Sequence, residues 1–226
     1  MKIAVLGTGT VGRTIAAKLT ELGHEVVVGT RDPESTMART EPDAMGNPPF
    51  SVWQADHPGI GLAPYDEAAA GGELLVNATG GGGSLDALRL AGEANLAGKV
   101  LLDVSNPLDF SRGFPPSLFV KDTDSLAEQI QRAFPEARVV KSLNTMTAAV
   151  MVDPGRVGGG DHSTFVSGNE AAAKTTVVDL LASMGHRDVI DLGDLSTARA
   201  AEMLLPVWVR LMGALGTPYL QFKIVR

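Results

Sequence analysis

The stretch Met1 to Asp32, reading MKIAVLGTGTVGRTIAAKLTELGHEVVVGTRD, constrains the fold more than any other part of the chain. Lys2 to Leu6 is a short, mostly apolar run, the pattern of a strand buried on both faces of a parallel sheet. Gly7-Thr8-Gly9-Thr10-Val11-Gly12 then supplies the G-x-G-x-x-G spacing, and apolar residues recur with helical period at Val11, Ile15, Ala16, Leu19 and Leu22. Glu25 to Gly29 is a second strand-like run, so the order is strand, glycine loop, helix, strand. A tight turn out of the strand needs a residue without a Cβ, close approach of the main chain to a pyrophosphate needs a second, and close helix–strand packing needs a third. Gly7, Gly9 and Gly12 fill those places, and the helix beginning near Val11 points its free N–H groups and positive dipole end at the phosphates. Alone, the spacing is often only a glycine turn; between a strand and a helix it marks a dinucleotide site lined by Gly7, Thr8, Gly9, Thr10, Val11 and Gly12.

The end of the second strand selects the dinucleotide. An Asp or Glu about 20 residues beyond the loop would hold the ribose hydroxyls of NAD. Gly29-Thr30-Arg31 stands there instead. Arg31 offers a planar fork of donors suited to a phosphate and Thr30 a hydroxyl, with no carboxylate at that place to repel the 2′-phosphate. NADP(H) is favoured over NAD, although Asp32 follows directly and an Arg-Asp pair also suits a solvated turn.

Pro33 to Pro64 is broken by prolines into a surface excursion near the adenine side, with a helical turn over Phe50–Ala55 and a short third strand over Gly61–Ala63. Regular order then returns: a helix from Tyr65 to Ala70, a strand from Leu74 to Thr79, four glycines at 80–83, a helix from Ser84 to about Ala94 and a strand from Val100 to Val104 that ends in Ser105-Asn106-Pro107. A helix from Asp124 to Phe134, with Asp122 to Asp124 as cap candidates, precedes a strand from Arg138 to Leu143 that ends in Asn144-Thr145. This alternation predicts an α/β fold, a Rossmann-type doubly wound parallel sheet, with residues 1–143 as the NADP-binding domain. In such sheets ligands bind outside the carboxyl ends of the strands, which here carry the glycine loop, Thr79 and Gly80, Ser105 and Asn106, and Asn144 to Met146. The four-glycine run reads equally as a flexible linker or as backbone that a flat ring can approach closely, and Ser-Asn-Pro is also ordinary turn chemistry.

Residues 144–226 read as a small C-terminal α/β extension that closes the cleft. Strands over Thr164–Ser167 and Asp188–Leu192 flank a helix over Glu170–Met184, and one long helix is expected over Leu195–Leu215, capped by Ser196 or Asp194 and kinked at Pro206. That helix is apolar nearly all round, so it is expected to be buried on several sides, either as a core helix or, the favoured reading, in a homodimer.

The chemistry is narrowed by what the sequence lacks. A net charge of −7 argues against nucleic acid or an anionic membrane surface, and the absence of cysteine removes disulfides, thiolate catalysis and Cys-based metal sites while suiting a reducing cytoplasm. The first strand begins at Lys2 with no signal segment before it, and no apolar run approaches the roughly 20 residues of a membrane span. Of the four histidines, His24 and His186 sit at helix ends and read as structural, whereas His57 and His162 have no partner at metal-ligand spacing, so no metal site is expected. There is no H-E-x-x-H, no G-x-S-x-G and no evident acid–base pair of carboxylates. Oxidation of an alcohol or amine needs a proton acceptor beside the substrate. Hydride transfer between two flat redox cofactors mostly needs stacking and exclusion of water, and the sequence favours that second kind, with Asn144 the one weak candidate for a catalytic role. An imine or keto-acid reductase usually adds a large helical second domain, for which the stretch after Asn144 leaves little room. A non-catalytic NADPH sensor has the same binding requirement and stays open.

The opening loop with Gly29-Thr30-Arg31, the segment Val139-Val140-Lys141-Ser142-Leu143-Asn144-Thr145 and the run Leu195-Ser196-Thr197-Ala198-Arg199 together carry a resemblance that spans nearly the whole chain. The chain resembles the F420-dependent NADP oxidoreductases, which pass hydride between NADP and the deazaflavin coenzyme F420. It is also similar to the cytosolic NADPH-binding reductase domain of the six-transmembrane epithelial antigen metalloreductases, which uses a flavin. The resemblance implies that Thr8, Thr30 and Arg31 hold the 2′-phosphate side of NADP and that Asn144, Thr145 and Met146 lie against the second redox ring. Asn144 stands where the archaeal deazaflavin enzymes place a histidine and is more like the flavin-using relatives, which leaves NADPH-dependent flavin reduction as the alternative.

Overall fold

In the computed structural model, which describes residues 1–43 and 46–226, the apolar runs pair into one eight-stranded sheet. Residues 44 and 45, in the expected surface excursion, lie outside the described residues. The strands are β1 (Lys2–Leu6), β2 (Glu25–Thr30), β3 (Gly61–Pro64), β4 (Leu74–Asn77), β5 (Val100–Asp103), β8 (Arg138–Ser142), β9 (Ser163–Gly168) and β10 (Asp188–Asp191), while β6 (Leu108–Asp109) and β7 (Ser117–Leu118) form a separate antiparallel hairpin. The order across the sheet is β10-β9-β8-β5-β4-β1-β2-β3. From β1 the chain first winds outward through β2 to β3 and then returns to β4 on the other side, so the crevice where winding reverses lies beside the end of β1.

The connections explain the parallel pairing. Helices α1 (Thr10–Glu21), α2 (Pro33–Met37), α3 (Phe50–Ala55), α4 (Tyr65–Gly71), α5 (Ser84–Ala91), α6 (Glu93–Leu96) and α7 (Leu126–Ala133) lie between successive strands and return the chain to the same end of the sheet. Alternation along β1 sends Ile3 and Val5 to one face, against Ile15 and Leu19 of α1, and Ala4 and Leu6 to the other, against Ala68 of α4 and Leu88 of α5. Both faces are therefore covered, and the sheet is the middle of three layers.

The C-terminal residues extend this sheet rather than building one of their own. After α8 (Ala148–Val152), β9 pairs antiparallel with β8, and β10, reached through α9 (Ala171–Ser183), pairs parallel with β9. The expected single helix over Leu195–Leu215 is instead a 3₁₀ turn (Leu195–Thr197), α10 (Ala198–Met203) and α11 (Leu205–Leu215). Pro206 is the physical reason for the break: it has no N–H to donate and its ring clashes with the carbonyl of the preceding turn, so it sits in the first turn of a new helix. Nor is α11 buried all round. Leu205, Trp208 and Val209 pack with Leu220, while Val207, Leu211 and Leu215 form an exposed stripe.

Smaller departures have local causes. The helix from Ser84 stops at Gly92, whose φ of 88° lies in the left-handed region, before α6 begins. The helix expected from Asp124 starts at Leu126 because Ser125, not an aspartate, caps it: the Ser125 hydroxyl accepts from the Glu128 N–H at 3.1 Å and donates to the Glu128 carboxylate at 2.7 Å.

Candidate functional site

The three glycines of the loop meet three different constraints. Gly7 has a φ of 125°, and a Cβ there would lie 2.6 Å from the Ala78 carbonyl oxygen, so the turn from β1 passes directly against the end of β4. A Cβ on Gly12 would stand 2.1 Å from the Gly7 carbonyl oxygen, which fixes how closely α1 approaches the turn. A Cβ on Gly9 would meet nothing within 4 Å; it would project into open space over the start of α1. Gly9 is also the N-cap of α1, and no side chain caps that end. The first-turn N–H groups thus face a cradle shaped for an anion, and the residues present fit a dinucleotide pyrophosphate.

A cavity opens on each side of the loop. The inner one, about 410 Å³, lies over the ends of β4 and β5 and is lined by Val11, Thr79, Gly80, Ser105, Asn106 and Phe110 among others. The outer one, about 490 Å³, is lined by Thr8, Arg13, Thr36, Arg39, Asp43 and Phe50 among others. An extended dinucleotide laid across the loop would place one end in each. In the inner cavity Gly81 is required by packing, since a Cβ there would lie 1.9 Å from the Asn106 carbonyl oxygen, whereas Gly80, Gly82 and Gly83 leave bare backbone toward open space. The four-glycine run is therefore part of the cavity wall, ending in a 3₁₀ turn over Gly81–Gly83 that leads into α5.

The outer cavity is more cationic than the sequence suggested. The Arg13 guanidinium donates through Nε to the Thr8 carbonyl at 2.8 Å and sits 5.5 Å from the centre of the Phe50 ring, held in place on the cavity wall. Burial lowers its pKa, an effect partly offset by Asp43, but a guanidinium remains charged. Thr30 is buried at the end of β2, its hydroxyl 2.8 Å from that of Thr36, and it is Thr36 that reaches the cavity. Arg31 is exposed just beyond, and Asp32 caps α2 by accepting from the Ser35 N–H at 3.0 Å, so the carboxylate that blurred the sequence reading is committed to the helix. Thr10 is also engaged: its hydroxyl accepts from Asn47 Nδ2 at 2.9 Å. Arg13 and Arg39 had no signal in a motif; only folding of the excursion onto α1 brings them together.

Under the inner cavity runs a buried polar network that sequence reading missed. Thr79 Oγ1 donates to Asn77 Oδ1 at 2.6 Å, and Asn77 Nδ2 donates to Asp103 Oδ1 at 2.8 Å, the same oxygen that receives the Ser105 hydroxyl at 2.7 Å. The other Asp103 oxygen accepts from Lys141 Nζ at 2.8 Å. Lys141, with no exposed side-chain surface, also reaches the Ser105 carbonyl at 2.6 Å and Glu202 at 2.9 Å. Burial alone would lower the lysine pKa; Asp103 and Glu202 outweigh it and raise it, so Lys141 is an ammonium. Glu202 in turn accepts from the N–H groups of Leu126 and Ala127 at 2.8 and 3.1 Å, the open end of α7. Lys141 was visible only as one polar residue in an apolar strand, and its partners are far from it in the chain.

The structure places Thr79, Gly80 and Asn106 together on the inner cavity. It places Asn144, Thr145 and Met146 behind it, at 3%, 3% and 5% exposure. Leu143, at the end of β8, takes a φ of 60°, costing about 1 kcal/mol or more for a residue with a Cβ, and the turn it makes directs Asn144 inward. Asn144 Nδ2 donates to Asn106 Oδ1 at 3.0 Å and to the Ala201 carbonyl at 3.0 Å, and Asn106 Nδ2 donates to the Asn144 carbonyl at 2.9 Å. Among the described residues no cluster of His, Asp and Glu is arranged to hold a metal ion, and no helix is long and apolar enough to cross a membrane. His162 and His186 are buried together, 6.3 Å apart between ring centres, away from both cavities.

This geometry agrees with comparison to known proteins. Residues 2–107 match the family model described as NADP oxidoreductase, coenzyme F420-dependent. A crystal structure from Arthrobacter sp. FB24, provisionally described as an F420-dependent NADP-reductase, superposes with a TM-score of 0.97 at 65% identity over 100% of both chains. The F420-dependent NADP reductase of Methanothermobacter marburgensis is 27% identical over 93% of this chain and 92% of its own length. Metalloreductase STEAP3 of Rattus norvegicus is 30% identical over 92% of this chain, which spans only 38% of that longer protein. The loop, the cleft and the match along the full length of the Arthrobacter protein have one meaning: the chain belongs to the F420-dependent NADP oxidoreductase family and is an NADP-dependent oxidoreductase with a Rossmann-type fold.

Proposed function

We propose that the protein transfers a hydride between NADPH and coenzyme F420. The observation that carries this reading is the division of roles among Gly7, Gly9 and Gly12, which leaves an uncapped helix end and open space between two cavities, in a chain of this family. The pyrophosphate lies over Gly9 on the N–H groups of α1, Arg13 and Arg39 on the outer cavity with exposed Arg31 beyond β2 provide the cationic side for the adenosine 2′-phosphate, the Thr8 hydroxyl adds a neutral donor, and Thr79, Gly80 and Asn106 line the place of the nicotinamide. Bound NADPH would supply the hydride to a carbon of the acceptor ring, and a ring nitrogen would take the accompanying proton from solvent, so no side chain need act as a dedicated acid. The buried network from Thr79 to Glu202 holds the cleft floor rigid, and the C-terminal residues 144–226 close the cleft through Glu202 and the Ala201 carbonyl. Thr30 acts through Thr36, and Asn144 through Asn106. We further propose a cytoplasmic homodimer, on the absence of cysteine and on the exposed Val207, Leu211 and Leu215 stripe of α11.

The test is loss of NADPH absorbance by the purified protein with F420, FMN or FAD as acceptor. Oxidation with F420 is expected. Oxidation with a flavin alone would replace this reading by flavin reduction, and tight NADPH binding without turnover by any of the three would replace it by a sensor.

A further inference from the structure

We infer that Phe110, on the β6–β7 hairpin, is the stacking platform for the outer face of the second redox ring, a reading that rests on the proposed transfer to F420. The residues that family resemblance assigns to this ring, Asn144, Thr145 and Met146, are walled off behind Asn106 and expose almost no surface. The groups with surface exposed to such a ring are those that line the inner cavity. The floor of the inner cavity is made by Ala78, Thr79, Val104 and Ser105 at the strand ends, and its side by the bare backbone of the glycine run, which is the place for the nicotinamide reached from the loop. A second flat ring stacked on the nicotinamide lies further out, toward the mouth.

At that mouth Phe110 is the only aromatic side chain lining the cavity among the described residues, and it is 57% exposed. The hairpin that carries it is anchored at its base: the Phe119 N–H donates to the Pro107 carbonyl at 2.9 Å, and Leu108 packs against the cluster of Leu205, Trp208 and Leu220. A hairpin anchored in this way, with a half-bare phenyl ring lining the cavity, has apolar surface left to bury. A large flat heteroaromatic ring is the ligand chemistry that uses both, gaining offset stacking on one face and shielding the transferring hydride from water on the other. Phe114 and Phe119, exposed on the same hairpin, do not line the cavity and have no part in this role.

The experiment is calorimetric titration of F420 into the protein saturated with NADP⁺, for wild type, Phe110→Ala and Phe110→Trp, with NADP⁺ titrated separately into each. Phe110→Ala is expected to weaken F420 about tenfold while leaving NADP⁺ unchanged, and Phe110→Trp to restore it. In turnover the same split appears as a raised KM for F420 with an unmoved KM for NADPH. Wild-type affinity for F420 in Phe110→Ala would overturn the assignment and leave the proposed reaction standing. Failure of wild type itself to bind F420 would overturn the reaction and the assignment with it.

Discussion

Asn106 and Asn144 exchange hydrogen bonds across the base of the cleft: each side-chain amide nitrogen donates to the other residue, at 2.9 Å to the Asn144 carbonyl and 3.0 Å to Asn106 Oδ1. One residue lines the cavity and the other is buried, so the pair ties the turn after β5 to the turn after β8. Asn144→Asp replaces a donor by a charged acceptor facing both Asn106 Oδ1 and the Ala201 carbonyl. Turning the Asn106 amide around would relieve the first of these clashes but forfeit its bond to the Asn144 carbonyl and leave the clash with Ala201. The variant is expected to lose about 2 kcal/mol or more of stability, read from urea unfolding at neutral pH. Unchanged stability would mean that the pair is not formed.

The glycine loop separates folding from binding. Gly12→Ala drives a Cβ into the Gly7 carbonyl and is expected to cost about 1–3 kcal/mol in thermal or urea unfolding. Gly9→Ala meets no protein atom, so its stability should stay within about 0.5 kcal/mol of wild type while NADP⁺ affinity falls at least tenfold, because the Cβ fills the pyrophosphate cradle. Equal effects of the two substitutions on either readout would remove the distinct roles assigned to these glycines.

The centre of the sheet was legible in the sequence because β1, β4 and β5 are apolar runs followed by a polar or glycine-rich end, and the helix period is clear in α1 and α7. What escaped was of two kinds. Elements such as α2, α8 and the β6–β7 hairpin are too short to show a period, and the antiparallel turn of β9 onto β8 leaves no mark on β9 itself. The second kind is tertiary: Lys141 finds Asp103 and Glu202 from opposite directions along the chain, and Asn144 faces inward because Leu143 adopts a left-handed φ, which no residue type there announces. The glycine loop was readable because its chemistry is local, and the cavity mouth at Phe110 was not because it is assembled from distant turns.

Lys141→Met removes the one cation shared by two buried carboxylates. Asp103 would keep its bonds from Asn77 and Ser105, and Glu202 those from the α7 N–H groups, but both charges would remain in a dry environment. A loss of about 3–5 kcal/mol is expected in urea unfolding. Adding Asp103→Asn in the same chain should recover part of that loss, since it removes one uncompensated charge; a strictly additive double variant would show that the groups do not interact.

Arg31 tests the choice of dinucleotide. Arg31→Glu places a carboxylate where the 2′-phosphate is proposed to lie and should weaken NADPH by roughly 10–100-fold, the scale of a lost charge-assisted hydrogen bond, while NADH changes little. Titration of both dinucleotides into both proteins reads this directly. Equal losses would move the phosphate from Arg31 to Arg13 and Arg39 in the outer cavity.

His186 gives the protein an acid-sensitive step that is independent of the cleft. Its ring is buried, with Nδ1 2.9 Å from the Thr164 hydroxyl and Nε2 2.9 Å from the Met151 carbonyl. Burial lowers its pKa from the ordinary 6.5, the bond to Met151 opposes that, and the neighbouring His162 lowers it further. The unfolded chain therefore takes up a proton on this residue that the folded chain resists. The contribution is fully present above pH 6.5 and is lost as pH falls from there through the lower folded value, at up to about 1.4 kcal/mol per pH unit. Asp124, held near a pKa of about 2 by Arg132, has the same sign but contributes its own loss only below its ordinary 3.8. His24, lowered by burial and by the N-terminal ammonium, shares the upper window. Urea midpoints measured from about pH 7.5 to 5 should fall less steeply in His186→Gln than in wild type, with the His24 share remaining. A wild-type slope in the variant would place the acid sensitivity elsewhere.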